Sequence, residues 1–302
     1  MSRALEKRHI ARMDTDVTFL GFGALEIGRN WGMGDDKQRP EEEVAGQVLN
    51  TVLDLGINLI DTASAYHRSE ERIGKYVSSR RGEYVLATKC GEHSSEPSTY
   101  YDFSYDAITA SIDRSLKLLN TDVIDLIQIH FGPDSEGVLD RGDTVRAMQD
   151  ARKAGKVRYL GASIDGDLAK RCILSGDFDV MQMGYNLFHQ ANAENIRLCK
   201  ERGMGVLIRS GLGNGLLTSR VVSNLDKLGE RDRAKAEKLL QLVEGDTQLL
   251  TALGLHFLYE NDGISSVIVG TKKPENVVKN VELLSRDLPE GLLEKAKAVV
   301  SE

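Results

Sequence analysis

The sequence predicts an α/β protein, a (β/α)8 barrel of the TIM type, folded as one domain from residue 1 to residue 302. Short apolar runs recur eight times along the chain, stretches with helical periodicity separate them, and no linker or low-complexity segment divides them. Eight strand and helix units within about 250 residues match the size of a closed barrel. An open doubly wound sheet is the rival fold, but no G-x-G-x-x-G motif follows any of the runs, which argues against it.

The predicted strands are the eight apolar runs, taken in chain order. They lie at residues 17–20, 57–61, 84–89, 124–130, 157–160, 180–183, 205–208 and 267–269. The clearest helical patterns lie between residues 43 and 53 and between 107 and 119, where apolar side chains recur on one face. Those side chains are Val44, Val48, Leu49 and Val52 in the first helix and Ile108, Ile112, Leu116 and Leu119 in the second.

Three further segments complete the expected fold. The longest loop-like piece, 211–230, follows the seventh strand and precedes a charged helix at 231–240. A loop of that length in a compact barrel usually serves a site. For the residues up to about Asp16, one arrangement is a hairpin that closes the floor of the barrel, and the sequence leaves this open. A last helix is expected at 290–300.

Composition restricts the partners and the location. The chain has 39 basic and 46 acidic residues, hence a formal net charge of −7, which disfavours nucleic acid or an anionic membrane as the main partner. No apolar run approaches the roughly 20 residues of a membrane helix, and the N-terminus lacks the apolar core of a signal peptide. The three cysteines, Cys90, Cys172 and Cys199, are odd in number and lack metal-ligand spacing. We therefore predict a cytoplasmic protein without a metal site, and the sequence leaves its oligomeric state open.

Four polar residues, Asp61, Tyr66, Lys89 and His130, lie at or just beyond the ends of the second, third and fourth predicted strands. Charge at the end of a buried strand is costly unless it is paired or used, and barrel enzymes keep their chemistry at that end. A nearby lysine lowers the pKa of a tyrosine from its usual value of about 10. A carboxylate in turn keeps the lysine protonated, and a histidine can position a carbonyl oxygen. The group therefore suits reduction of a carbonyl by hydride, with Tyr66 delivering the proton.

Taken singly, each of these residues has an ordinary structural explanation. An aspartate at a strand end is often a helix cap or an ion-pair partner, a lysine there is often solvated, and a histidine after an apolar run is often a core residue. The combination carries the functional interpretation.

The segments that carry the four residues resemble the signatures of the aldo-keto reductases, which are NAD(P)H-dependent barrel oxidoreductases. The first is GINLIDTASAY at residues 56–66, and LATK at 86–89 is similar to the family's lysine strand. SLKLL at 115–119, DLIQIH at 125–130 and GKVRYLGAS at 155–163 are similar to a second signature. The resemblance runs from about residue 17 to 283. It implies that Tyr66 is the proton donor, that Lys89 and Asp61 tune it, and that His130 orients the substrate.

The resemblance also implies a dinucleotide across the C-terminal face of the barrel. Ser163 and Gln182 match positions that hold the nicotinamide carboxamide, although Ile164 stands where many members have asparagine. Arg209 occupies a position that is aromatic in many members, and it either stacks on the nicotinamide, which we favour, or grips an anionic substrate. The full set of implied cofactor contacts is Gly23, Ala24, Asp61, Ser163, Gln182, Arg209, Ser210, Leu212, Gly213, Gly270, Thr271, Lys272, Lys273, Asn276 and Asn280.

The choice between NADPH and NADH rests on the segment after the eighth strand. Lys272 and Lys273 match positions that meet a 2′-phosphate, which favours NADPH. Asn276, however, stands where many NADPH-preferring members carry arginine, so NADH use stays open. Asn280 matches the adenine contact.

On the substrate side, Leu25, Glu26, Ile27 and Trp31 are expected to line the pocket mouth, and loop 131–142 to form another wall. The chain has little of the long C-terminal loop of many members. An open pocket follows, suited to a sugar, a polyol or a small aldehyde rather than a steroid.

Three functions compete. The leading one is an NAD(P)H-dependent oxidoreductase that interconverts a carbonyl and an alcohol. The alternative is a regulatory barrel similar to the potassium-channel β subunits, which bind nucleotide tightly and turn over slowly. A metal-dependent hydrolase is the weakest, because His130 has no second histidine or carboxylate pair at ligand spacing.

Overall fold

A computed structural model describes residues 2–32 and 37–301. In this part of the chain, eight parallel strands close into a barrel with helices around it, which confirms the predicted fold. The two predicted domain limits, Met1 and Glu302, lie outside the described residues.

Each barrel strand pairs with its neighbours in chain order, and the last one pairs with the first. Two antiparallel hairpins stand apart from the barrel: β1 (Lys7–Ile10) with β2 (Thr15–Thr18), and β6 (Glu92–Ser95) with β7 (Ser98–Tyr101). The barrel strands are β3 (Leu20–Gly23), β4 (Leu59–Asp61), β5 (Val85–Cys90), β8 (Ile124–His130), β9 (Val157–Ser163), β10 (Val180–Gly184), β11 (Gly205–Arg209) and β12 (Ser266–Gly270).

The first predicted strand, 17–20, was wrong in its bounds. Val17 and Thr18 belong to the hairpin strand β2, and the barrel strand starts only at Leu20, which pairs with Val267. The backbone N–H of Phe19, directly before the barrel strand, still donates to the carbonyl of Glu6, next to the hairpin strand β1, at 2.8 Å. Glycines at alternate positions of β3 lower its intrinsic strand propensity and conceal it in the sequence.

Helices cover the outside of the barrel. Both predicted amphipathic helices are confirmed, and the second begins at a Ser104 side chain that accepts from the N–H of Ala107, as N-cap residues do. Loop 131–142 was predicted without a helix, but most of it is helical. The helices are α1 (Leu25–Gly28), α2 (Glu42–Asp54), α3 (Ser69–Val77), α4 (Tyr105–Leu119), α5 (Ser135–Arg141), α6 (Asp143–Lys153), α7 (Gly166–Ser175), α8 (Ala193–Glu201), α9 (Glu230–Leu242), α10 (Thr247–Tyr259), α11 (Pro274–Ser285) and α12 (Leu292–Ser301).

The N-terminal end of the barrel is filled by apolar side chains and closed by the first hairpin, as the sequence suggested. Because successive residues of a strand face opposite sides, one residue in two points inward, while those between, such as Ile60, join the outer core beneath the helices. The inner cluster consists of Leu59, Ala87, Leu126, Val180 and Leu207 from the barrel, packed on Ile10, Met13 and Val17 of the hairpin.

The same alternation places polar residues inside the other end. Two residues beyond Leu59, Ala87, Leu126 and Val180, still facing inward, come the polar side chains Asp61, Lys89, Gln128 and Gln182. The pattern of the strands thus sets a polar layer at the C-terminal end of an apolar interior. Across the described ranges, no helix combines the length and the apolar character that crossing a membrane requires.

Candidate active site

Asp61 is the centre of the polar layer. It is 3% exposed, and its Oδ2 accepts from Lys89 Nζ at 2.5 Å. Its Oδ1 accepts from Gln128 Nε2 at 2.9 Å and from Gln182 Nε2 at 2.8 Å. A buried carboxylate with an ammonium and two amide donors is well compensated for its loss of water.

Lys89 joins this carboxylate to the phenol of Tyr66. Its ammonium also donates to the carbonyl of Thr62 at 2.9 Å and lies 3.5 Å from Tyr66 Oη. Burial acts to lower the pKa of Lys89, but the Asp61 carboxylate and Tyr66 outweigh it, so the pKa is raised above its ordinary value. Lys89 is therefore a fixed cation at neutral pH.

Tyr66 lies in the turn that follows β4, held by the approach of α1. A Cβ on Gly28 would come within 2.2 Å of the Tyr66 carbonyl oxygen, so only glycine permits this close approach. The pKa of Tyr66 is raised, mainly by burial, with Lys89 acting to lower it and Asp61 to raise it. The sequence predicted a lowered pKa, and that was wrong because burial opposes the phenolate more than one ammonium supports it.

His130 ends β8 and faces Tyr66 across the mouth of the barrel. The two ring centroids are 6.0 Å apart and the rings are nearly perpendicular, at 88°. The structure therefore brings Asp61, Tyr66, Lys89 and His130 together, as predicted.

A fifth residue that the sequence interpretation missed, Glu92, adjoins the group. Its Oε2 lies 2.9 Å from His130 Nδ1, and its Oε1 lies 3.6 Å from Arg29 Nη1. Burial acts to raise the pKa of Glu92, but His130, the hydroxyl of Thr99 and the Arg29 guanidinium together lower it to about 2. The signal in the sequence is a glycine directly after β5, Gly91, whose φ of +99° turns the chain into the β6–β7 hairpin.

The two predicted carboxamide contacts lie next to Asp61. Ser163 Oγ donates to Gln182 Oε1 at 3.3 Å, and both residues are buried, at 8% and 2% exposure. A hydroxyl and an amide side by side are the groups that recognise a carboxamide. Ile164 follows with only its backbone N–H engaged, donating to the Gln182 carbonyl at 3.2 Å.

Arg209, at the end of β11, forms an ion pair with Asp165. Asp165 is in turn held by the N–H of Gly184 and by Asn192 Nδ2, each 2.8 Å from Oδ1. Sequence interpretation missed Asp165 and Asn192, because they lie in the connections that follow β9 and β10 and not within the apolar runs. The structure thus presents Arg209 from a fixed position on the C-terminal face.

The implied cofactor contacts Ser210, Leu212 and Gly213 follow directly after Arg209. Ser210 has a left-handed backbone, with φ of +55°, and its carbonyl accepts from Asn186 Nδ2 at 2.9 Å. Leu212 and Gly213 follow, and Gly213 is also left-handed, with φ of +60°. The Gly213 N–H donates to the Ser210 carbonyl at 2.8 Å and closes this turn, and turns of this type favour an anion.

The remaining predicted cofactor residues lie around the ends of β3 and β12. Gly23 pairs with Gly270, and the N–H of Ala24 donates to the Asp61 carbonyl at 2.8 Å. Lys272 is buried whereas Lys273 is exposed. In the same segment, Asn276 Nδ2 donates to Thr271 Oγ1 at 3.1 Å, and Asn280 lines a small cavity with Thr271.

One of the residues that were expected to line the pocket mouth, Ile27, does not lie there. Trp31 is 48% exposed and stacks loosely on Arg29, but Ile27 is fully buried in the outer core and does not line the mouth. The β6–β7 hairpin adjoins Arg29, whose Nη1 lies 3.6 Å from Glu92 Oε1, and within the hairpin Tyr101 pairs with Glu92.

Taken together, these residues fit a nicotinamide dinucleotide. The buried Ser163–Gln182 pair would hold the carboxamide beside Asp61. The left-handed turn at Ser210 and Gly213 would receive the diphosphate, and exposed Lys273 would face the adenosine end.

Comparison with known proteins gives a consistent result. Residues 20–300 match the aldo/keto reductase family. The chain is 28% identical to the uncharacterized oxidoreductase YqkF of Bacillus subtilis, over 92% of this chain and 90% of that protein. It is 26% identical to the NADH-specific methylglyoxal reductase of Escherichia coli, over 92% and 93%. The holo form of aldo-keto reductase AKR11C1 from Bacillus halodurans superposes with a TM-score of 0.81, at 26% identity over 98% and 96%.

Proposed function

The chain belongs to the aldo/keto reductase family of nicotinamide-dependent oxidoreductases, and we propose that it interconverts a carbonyl and an alcohol with Tyr66 as proton donor. The observation that carries the proposal is the continuous chain of contacts from Asp61 through Lys89 to the Tyr66 hydroxyl. It supplies a protonated phenol at the barrel mouth beside His130.

The reduction balances with one hydride and one proton. A reduced nicotinamide held by Ser163 and Gln182 would supply the hydride to the carbonyl carbon. Tyr66 donates its proton to the carbonyl oxygen, which becomes the alcohol, and Lys89 stabilises the phenolate that is left. A raised pKa keeps Tyr66 protonated before reaction. His130 holds the substrate oxygen between its own ring and the ring of Tyr66.

The proposed cofactor is NADPH, with NADH also accepted. Exposed Lys273 supports contact with a 2′-phosphate, whereas one relative is NADH-specific. The proposed substrate is a small polar carbonyl or a polyol or sugar, since the mouth combines Glu92 and Arg29 with the exposed ring of Trp31. We place the protein in the cytoplasm, which suits its free thiols.

Nucleotide titration tests the proposal. We expect NADPH to bind in calorimetry and to change the fluorescence of the single tryptophan, Trp31, with weaker binding of NADH. A panel of small aldehydes, sugars and polyols, assayed in both directions, should then show turnover. Failure of both nucleotides to bind would contradict the proposal, and binding without turnover on the whole panel would favour the regulatory alternative.

The role of Arg209 gives a second test. If its guanidinium stacks on the nicotinamide, Arg209→Ala should weaken NADPH binding about fivefold, because cation–π contacts at partly exposed sites are modest. Arg209→Tyr should restore that affinity. Calorimetry measures both, and Arg171→Ala, which removes an exposed ion pair with Asp140 on the outer surface, is the matched control.

The anion-binding alternative makes the opposite prediction. Both Arg209 variants would then keep their NADPH affinity, and the KM for carboxylate-bearing substrates would rise in each.

A further inference from the structure

We propose that Glu92 fixes the protonation pattern of His130, holding a proton on Nδ1 so that Nε2 is the atom presented to the substrate oxygen. In this arrangement Nε2 accepts a hydrogen bond while the ring is neutral, and it donates one only when the ring carries both protons. Glu92 is thereby a positioning residue that acts through His130. The protonation pattern stands on the structure alone, whereas its consequence for substrate rests on the proposed function.

The first support is the distance between the two groups. His130 Nδ1 and Glu92 Oε2 are 2.9 Å apart. Nδ1 is buried, and the carboxylate lies off the direction of an ideal hydrogen bond, so the contact is electrostatic in character. An unprotonated Nδ1 would place a lone pair against an anionic oxygen at that distance, which is repulsive, so Nδ1 carries the proton.

The second support is that the carboxylate is ionised and held in place independently of His130. The backbone carbonyl of Glu92 accepts from Ser64 Oγ at 2.6 Å. Its side chain is 8% exposed and is also approached by Arg29 and by the hydroxyl of Thr99. The pKa of Glu92 is lowered to about 2, so the negative charge is present throughout the neutral range.

The other groups around Glu92 and His130 do not cancel the attraction between the Glu92 carboxylate and the proton on Nδ1. On the side of the β4–α3 turn, Tyr66 meets His130 edge-on, with Lys89 behind it. On β9, the register partner of His130 is Ser163, which carries no charge. On β7, Tyr101 lies opposite Glu92. Arg29, beyond Glu92, is 25% exposed at its side chain and forms a partial counter-charge.

The chemical consequence follows from what each substrate oxygen can do. A carbonyl oxygen only accepts hydrogen bonds, so it requires Nε2–H and therefore the doubly protonated ring, whose charge Glu92 balances. The hydroxyl proton of the alcohol is the one exchanged with Tyr66, so the alcohol oxygen likewise accepts from Nε2–H. Glu92 therefore supports carbonyl binding by keeping a charged Nε2–H donor at His130.

The direct test is the ¹⁵N spectrum of the histidine side chains in the full-length protein without nucleotide. His130 is one of six histidines, and the signal missing from His130→Gln identifies it. At a pH where the ring is neutral, we expect Nδ1 to be the protonated nitrogen in the wild type. In Glu92→Gln, a matched isostere without charge, we expect the Nε2–H form to gain population.

The kinetic arm uses the same variant. Glu92→Gln should lower kcat/KM for carbonyl reduction about tenfold, because a neutral Nε2–H donor then replaces the charged one that Glu92 balances, with unchanged NADPH affinity. The loss should appear in the carbonyl KM with kcat within about twofold, because the change weakens an interaction with the substrate oxygen and leaves Tyr66 and Lys89 in place. A purely structural role would lower kcat as well. Thr99→Val, which loosens the Glu92 carboxylate without removing its charge, should show a smaller change both in the population of the Nε2–H form and in kcat/KM for carbonyl reduction.

Two outcomes overturn the inference: an Nε2–H neutral form in the wild type, or an unchanged Nδ1–H form in Glu92→Gln. Both are read without turnover. A protein that binds no nucleotide would therefore refute the proposed function and leave the protonation result standing.

Discussion

Replacing Tyr66 by phenylalanine is expected to lower kcat for carbonyl reduction about 10³-fold, in the range set by loss of a general acid. Phenylalanine keeps the ring that meets His130 edge-on and removes only the hydroxyl that lies 3.5 Å from Lys89 Nζ. NADPH affinity should therefore remain within about twofold. Steady-state kinetics and calorimetry on the same preparation measure the two effects.

Tyr76→Phe is the matched control, since Tyr76 lies on α3 against Lys75, outside the proposed site. It should retain wild-type kcat. Full activity in Tyr66→Phe would show that another group supplies the proton. A parallel loss of kcat and of NADPH affinity would instead indicate a collapsed pocket, which the near-ultraviolet spectrum would reveal.

Much of the active site was predictable because a strand converts sequence spacing into position. Asp61, Lys89 and His130 each end an apolar run, and parallel strands bring their ends to one rim. The same alternation also points to Gln128, two residues before His130 and facing inward, which the sequence interpretation did not use. Its amide donates to Asp61, so the signal was present in the spacing.

The residues that were missed lie where spacing carries no such information. Glu92 reaches His130 only because the chain turns at Gly91 and folds back as a hairpin. Asp165 meets Arg209 across two strand ends that are 44 residues apart in sequence. The direction of the Tyr66 pKa was also missed, because it depends on burial, and burial follows from the packed structure rather than from neighbouring residue types.

The arrangement of the implied cofactor residues was predictable only in part from the sequence. The barrel strands bring Ser163 and Gln182 together, so a contact between them follows from the fold. The difference between Lys272 and Lys273 does not, since neighbouring lysines read alike in sequence while one is buried and the other exposed. A single exposed lysine also agrees with the modest NADPH preference proposed above.

Asp61→Asn is expected to have the largest effect on stability. The change leaves the Lys89 ammonium, which is 1% exposed, without a counter-charge. Breaking a buried pair in this way costs about 3–5 kcal/mol, equivalent to a fall in Tm of about 10 °C. Scanning calorimetry at neutral pH measures it. The pKa of Lys89 is raised above its ordinary value of 10.5 in the folded protein, so the stabilisation that comes from the lysine charge is present at neutral pH and is lost as the solution becomes alkaline.

A double variant separates the ion pair from the packing. Asp61→Asn with Lys89→Met removes both charges, keeps an amide oxygen that accepts from Gln128 and Gln182, and leaves no member of the pair as a buried charge without its counter-charge. We therefore expect the double variant to melt above Asp61→Asn while being inactive, because it has lost the cation beside Tyr66. Asp140→Asn, which breaks an exposed ion pair with Arg171, should leave Tm within about 1 °C of wild type. If Asp61→Asn melted at the wild-type temperature, Lys89 would not be a buried cation that needs a counter-charge. The proposal that the Lys89 ammonium stabilises the Tyr66 phenolate would then be wrong.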